Sequence, residues 1–242
     1  MPTQDWRALA AAFADTLGTD VPAIAITFTD APPEGIPAFD DPMPPPTADG
    51  RTGRVSAGCV FWMKSATRTF TTVPADHGNC SVGLVTHGMK TLGEVAGNAD
   101  VAALLECGWV TMDVVPLIPV VTQKPGAVTY GPLAETSLDP DVVLLRLTGR
   151  QLMVLSDALP GLRIEGKPQC HIIAVAKEQG EIAASVGCQL SRVRTGMANS
   201  EMTVAIPASK VASTIEALRA TAAADDAVAR YAAEDARRFA PA

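Results

Sequence analysis

Four cysteines, at positions 59, 80, 170 and 188, stand in two pairs with a long stretch of chain between the pairs. There is no Cys-x-x-Cys, so no single turn can hold two of them, and neither a zinc ribbon nor a ferredoxin-like run is encoded. If these thiols act together, the fold has to bring distant segments to one place. The histidines keep company with them: His77 precedes Cys80 by three residues, His171 directly follows Cys170, and His87 lies a short way past Cys80. Thiolate and imidazole are the ligands of choice for zinc, and thiolate for iron–sulfur centres. The fifth cysteine, Cys107, closes the apolar helical segment Val101–Leu105 and reads as a small buried hydrophobe.

The rest of the chain alternates strand and helix signals. Asp5–Leu17 has Trp6, Leu9, Phe13 and Leu17 on one helical stripe, and Val21–Phe28 reads as a buried strand. The proline-rich stretch Ala31–Gly53 excludes regular structure and is expected to form a loop over a pocket. Val55–Lys64 and Thr67–Val73 read as strands, Asp76–Gly88 as a turn entering a short helix, and Asp100–Cys107 as a helix ended by Gly108. Val110–Val121 is strand-like but carries Pro116 and Pro119, which suits an edge. Asp141–Leu147 is the clearest strand, Gly149–Leu159 a helix, and Met202–Ile206 a strand. Pro207 then opens a helix through Leu218, followed by an Ala-rich helical tail. The pattern implies an α/β or α+β fold: a mixed sheet flanked by helices, with one domain over residues 1–220 and the tail over 221–242. A strand precedes a cysteine pair twice, Val21–Phe28 before Cys59 and Cys80 and Asp141–Leu147 before Cys170 and Cys188, which suggests a weak internal repeat.

Local sequence favours reactive or ligating thiols. Cys80, Cys170 and Cys188 each follow turn residues at the expected start of a helix, where free backbone N–H groups favour thiolate. Gly58 and Gly187, each just before a cysteine, allow close backbone approach. Arg192 and Arg194 could clamp a carboxylate or phosphate, or form a solvated pair. Phosphate-loop, dinucleotide, serine-hydrolase and zinc-protease motifs are missing. A net charge of -7 with no basic run argues against nucleic acid and anionic membrane surfaces. No apolar run is long enough to span a bilayer, and no signal peptide is read at the N-terminus, so the cytoplasm is the expected compartment. Thiols there stay reduced or bind metal rather than pair as disulfides.

In their order along the chain, VPAIAITF, PPEGIP, Cys59, the D-H-G-N-C turn ending at Cys80, PDVVLL from Pro140, Cys170, C-Q-L-S-R from Cys188 to Arg192, Glu201 and A-I-P at 205–207 resemble the bacterial and archaeal family known as domain of unknown function 169. The resemblance runs from the opening helix to about Leu218. It implies that Cys59, Cys80, Cys170 and Cys188 are one matched set, with Cys107 outside it. Members of the family often carry glycines after the second and fourth cysteines; this chain has Ser81-Val82 and Gln189-Leu190 there, which implies an altered pocket.

The expectation is an iron–sulfur protein, with a [4Fe–4S] cluster held by three or four of the matched cysteines. It would act as a lyase or oxidoreductase on a small molecule, by desulfuration, dehalogenation or dehydration, with His77 or His171 as proton donor and Arg192 holding an anionic group. Structural zinc in a binding or sensor protein, and metal-free thiol redox chemistry, are the alternatives. The expected partner is a small-molecule substrate, with no nucleic acid and no membrane; homo-oligomerisation is left open.

Overall fold

A computed structural model describes residues 4–41 and 58–239. Most of the proline-rich stretch, and the first residues of the expected strand Val55–Lys64, lie outside the described residues. The elements run α1 (Trp6–Leu17), β1 (Ile24–Thr29), α2 (Val60–Lys64), β2 (Phe70–Thr72), α3 (Ser81–Thr86), α4 (Leu92–Val95), α5 (Ala99–Glu106) and β3 (Ala127–Pro132). They continue β4 (Val142–Thr148), α6 (Gly149–Ala158), β5 (Arg163–Glu165), α7 (His171–Ala174), β6 (Ala183–Ser185), α8 (Gln189–Thr195), β7 (Glu201–Pro207) and α9 (Val211–Arg238).

The strands form one mixed sheet of seven, in the order β2-β3-β1-β4-β7-β6-β5, with β5 and β6 parallel and every other neighbour antiparallel. The architecture is α+β, as the alternating signals imply. Side chains alternate across the central strands. Ile24, Ile26, Val142 and Leu144 enter a core on one face, with Phe61, Trp62, Phe70, Tyr130 and Ile172. Ala25, Val143, Leu145 and Leu147 enter a second core on the other face, with Phe13, Leu155, Val211 and Ile215. The longer helices α1, α6 and α9 pack together on that second face. The short helices α2, α3 and α7 belong to the first.

The repeat hinted at by the sequence is present in the topology. Exchanging β1 with β4, β3 with β7 and β2 with β6 leaves the order of these six strands unchanged, and β1 pairs antiparallel with β4, as a twofold axis normal to the sheet requires. The first residue of β1, Ile24, faces the last of β3, Pro132; the first of β4, Val142, faces the last of β7, Pro207. Each of those prolines leads into a 3₁₀ turn, Leu133–Glu135 and Ala208–Lys210. Even the parallel bridge of Ala38 to Thr71 beside β2 has its counterpart in β5 beside β6.

Several sequence expectations need correction. The described part of Val55–Lys64 is helical, not a strand. A short apolar run gives no periodicity to decide between the two, and Phe61 and Trp62 reach the sheet as a pair from one helical turn. Val110–Val121 forms no edge strand; Val115–Leu117 is a 3₁₀ turn, because Pro116 and Pro119 cannot donate to a ladder. Pro207 ends β7 rather than opening the helix, and α9 starts at Val211 and runs unbroken to Arg238, so the expected helix and its helical tail are one element. Strands β3, β5 and β6 were not anticipated; β5 and β6 have three residues each, too few to show a period of two.

Candidate functional site

Each of the four cysteines is the residue that caps the N-terminus of a short helix: Cys59 on α2, Cys80 on α3, Cys170 on α7 and Cys188 on α8. The sequence anticipated this for three of them; Cys59 is the addition. The helices are drawn together across the repeat, α2 packing on α8 and α3 on α7. These two contacts exchange with each other under the pseudo-twofold operation. Cys59 and Cys170 both pack against the first core.

The convergence is also electrostatic. Burial pushes the Cys59 thiol well above the ordinary range, and the other three sulfurs, Cys80, Cys170 and Cys188, push it in the same direction. Burial raises Cys170 as well, with Cys80 and Cys188 adding to it. Burial also raises Cys80, opposed by the backbone N–H groups of Gly83 and Gly58 and by the charge of Arg194. Four thiols sharing one buried region cannot all ionise unless a cation offsets them. Donors stand ready: the Gly83 N–H lies 3.4 Å from Cys80 Sγ, and the Thr86 hydroxyl lies 3.3 Å from Cys170 Sγ. The Thr86 contact ties the two halves of the chain together. Cys107 takes no part: it is exposed at the C-terminal end of α5, not buried as its apolar neighbours suggested.

The wall beside the cysteines is aromatic and buried. Phe61 has the His77 ring 4.6 Å from its own and the Tyr130 ring stacked at 5.6 Å, while His77 and His87 lie 5.9 Å apart. The Thr72 hydroxyl donates to the Val128 carbonyl at 3.0 Å, so at 3.0 Å from His77 it can only accept. His77 therefore carries its proton on Nε2 and leaves Nδ1 as a bare lone pair. His87 Nδ1 donates to the Gly83 carbonyl at 3.0 Å, which leaves Nε2 bare in the same way. Among the described residues neither bare nitrogen has a partner, and neither does the Tyr130 hydroxyl. Burial holds His77 well below the ordinary imidazole range and brings His87 to about 4. Tyr130 is raised by burial and, after it, by Cys170 and Cys59.

The remaining expected residues are placed less centrally. His171 donates from Nε2 to Glu165 Oε2 at 3.0 Å, and Glu165 is also bound by Arg163. Arg192 does not offer an open clamp for an anion. Its guanidinium donates to the carbonyls of Val186 at 2.7 Å, Glu201 at 3.0 Å and Ala198. It thereby fastens the turn before Cys188. Gly187 sits in that turn with φ of 94°, and a Cβ there would come 2.7 Å from Arg192 Nη2. A Cβ at Gly58 would come 3.1 Å from His77 Nδ1, so that glycine lets the histidine lie against the residue preceding Cys59. Tyr130, Thr86 and His87 were not foreseen as part of the site; a tyrosine on an unanticipated strand and a threonine inside a helix carry no local mark of it.

Two expectations follow. Arg192→Ala removes the donor from three carbonyls and should cost about 2 kcal/mol, read as a lower melting temperature together with faster alkylation of Cys188 by mass spectrometry. The second concerns acid. Unfolded, a histidine takes up a proton near 6.5; folded His87 does so only near 4. Between those values the unfolded chain holds a proton that the folded chain refuses. Stability should therefore fall as pH drops from about 6.5 to about 4, by about 3 kcal/mol for His87. Urea midpoints across that range should show the slope, and His87→Asn should flatten it.

Among the described residues no helix is long and apolar enough to cross a membrane. A family model described as DUF169, uncharacterised ArCR, matches residues 12–217. No curated protein and no solved structure matches the chain.

Proposed function

The chain belongs to the DUF169 family, and from that premise we propose that its four matched cysteines hold an iron–sulfur cluster of the [4Fe–4S] type, at which a small molecule is transformed. The observation that carries this reading is the meeting of Cys59, Cys80, Cys170 and Cys188 at the N-termini of four short helices in one buried region.

The residues present suit such a group. Four thiolates match the usual ligand number, and hydrogen bonds to sulfur of the kind made by Gly83 and Thr86 tune such centres. A single zinc ion needs its ligands about 2.3 Å from one point. Among the described residues no three His, Cys, Asp or Glu side chains are grouped for one ion. A cluster spreads its thiolates over separate irons, so its ligands need not gather about one point. When bound, it supplies one-electron transfer and, at any iron without a cysteine, Lewis acidity.

The protein's own part is positioning, proton handling and exclusion of water. His77, an expected proton donor, is instead a neutral acceptor, as is His87, and the Tyr130 hydroxyl is the available donor. Phe61, Phe70 and Trp62 keep the wall apolar. Loss of sulfur, halide or water from a small substrate suits this combination. With every cysteine free, a reducing cytoplasm is the compartment we assign.

Anaerobic purification followed by a visible spectrum and iron and sulfide assays tests the proposal. A brown protein with about four irons and as many sulfides per chain supports it. A colourless protein with stoichiometric zinc, or one free of metal, overturns it.

A further inference from the structure

The two halves of the chain differ most between the helix capped by the second cysteine of each pair and the strand that follows. In the second half, α8 reaches β7 through residues 196–200 alone; in the first, residues 87–126 intervene between α3 and β3. The longer segment includes α4 and α5. Together with the outer side of α3 it encloses a cavity of about 370 Å³. That is within the range of small-molecule sites.

Val85, Leu104, Trp109 and Ile118 form much of its wall. Ser81 is the hydroxyl on the lining, and it is taken: it donates to Asp100 Oδ1 at 2.7 Å and accepts from Asn98 Nδ2 at 2.8 Å. The interior therefore suits hydrocarbon and offers water no anchorage. Leu92 and Met112 also line it while staying 44 % and 67 % exposed, so the mouth is open and apolar. One lining residue, Trp109, has a charge beside it. Lys167 Nζ lies 5.1 Å from the centre of the Trp109 ring and makes no salt bridge among the described residues. An apolar channel with an ammonium at its edge is complementary to a chain with an anionic end.

We propose that this cavity binds an aliphatic carboxylate of medium chain length, its hydrocarbon lying between α3, α4 and α5 and its carboxylate at Lys167. The site is separate from whatever the cysteines hold, but it is not remote from them. The Ser81 amide also donates to Asp100, at 2.9 Å, so the segment that walls the cavity is bonded to the residue next to Cys80.

Calorimetric titration of the full chain with dodecanoate and with dodecanol, both below their aggregation limits, tests the proposal. The expected result is one dodecanoate per chain, bound about tenfold more tightly than dodecanol, with the difference erased by Lys167→Glu. Ala96 lines the cavity from an exposed position, so Ala96→Trp should fill it and abolish binding while the melting temperature holds. Failure of dodecanoate to saturate, binding that survives Ala96→Trp, or equal affinity for dodecanol overturns the proposal. So does sedimentation showing a dimer that closes the cavity. None of these outcomes bears on the metal content, so the two readings stand or fall separately.

Discussion

Replacing any one of Cys59, Cys80, Cys170 or Cys188 by serine is expected to strip the protein of most of its iron and its visible colour, while Cys107→Ser leaves both unchanged. The contrast follows from placement. The four thiols sit at helix starts in one region, where Cys80, Cys170 and Cys188 add to the upward push of burial on Cys59, and Cys80 and Cys188 to that on Cys170, whereas Cys107 is exposed at the far end of α5. A serine hydroxyl stays protonated and offers iron a poor ligand, so the loss should exceed any change in fold stability. If only three cysteines ligate, one of the four serine variants will keep its iron and show an altered spectrum instead. Iron, sulfide and thermal melting measured side by side decide the matter. Serine variants that lose stability without losing iron would return the cysteines to a packing role.

The second large effect lies in the sheet. Arg146 on β4 donates from Nε to Glu201 Oε1 at 2.6 Å and from Nη2 to Oε2 at 2.9 Å. The two side chains are only 8 % and 15 % exposed. Removing the cation leaves a carboxylate nearly out of reach of water, which costs about 3 kcal/mol. For a chain of this size that is a fall of about 6–12 °C in melting temperature. Replacing both partners with apolar residues, Arg146→Met with Glu201→Leu, should recover most of the loss, because the penalty is the stranded charge and not the missing bond. Glu201 also presents its carbonyl to Arg192. The single variant should therefore loosen the Cys188 turn, and faster alkylation of that cysteine would report it.

The sequence made the site easier to read than the sheet. Cysteines at turn-to-helix junctions carry their own local signal, and Cys80, Cys170 and Cys188 were placed at helix starts from that signal alone. Strands of three residues, such as β5 and β6, leave little trace, because their partners rather than their residues hold them in place. Cys59 reads as part of a strand because Val60, Phe61 and Trp62 are all good strand formers, and only the packing of Phe61 and Trp62 on the sheet chooses the helix. Arg192 reads as an anion clamp or a solvated cation because nothing nearby in sequence shows that its partners are the carbonyls of Val186, Ala198 and Glu201. Tyr130 and Thr86 escaped notice for a related reason: what singles them out is the Cys170 sulfur, far along the chain.

The palindromic strand order has a consequence for ancestry. A unit of strand, helix, strand, helix and strand, bearing two thiols, occurs twice and meets itself along β1 and β4. Neither copy owns the four-thiol site; it exists only at the seam. The simplest forebear of this chain is thus a short protein that brought its two thiols beside two more by pairing with itself. Fusion through the residues between β3 and β4 then freed the copies to diverge. One kept a short link before its last strand, while the other grew the segment that walls the apolar cavity.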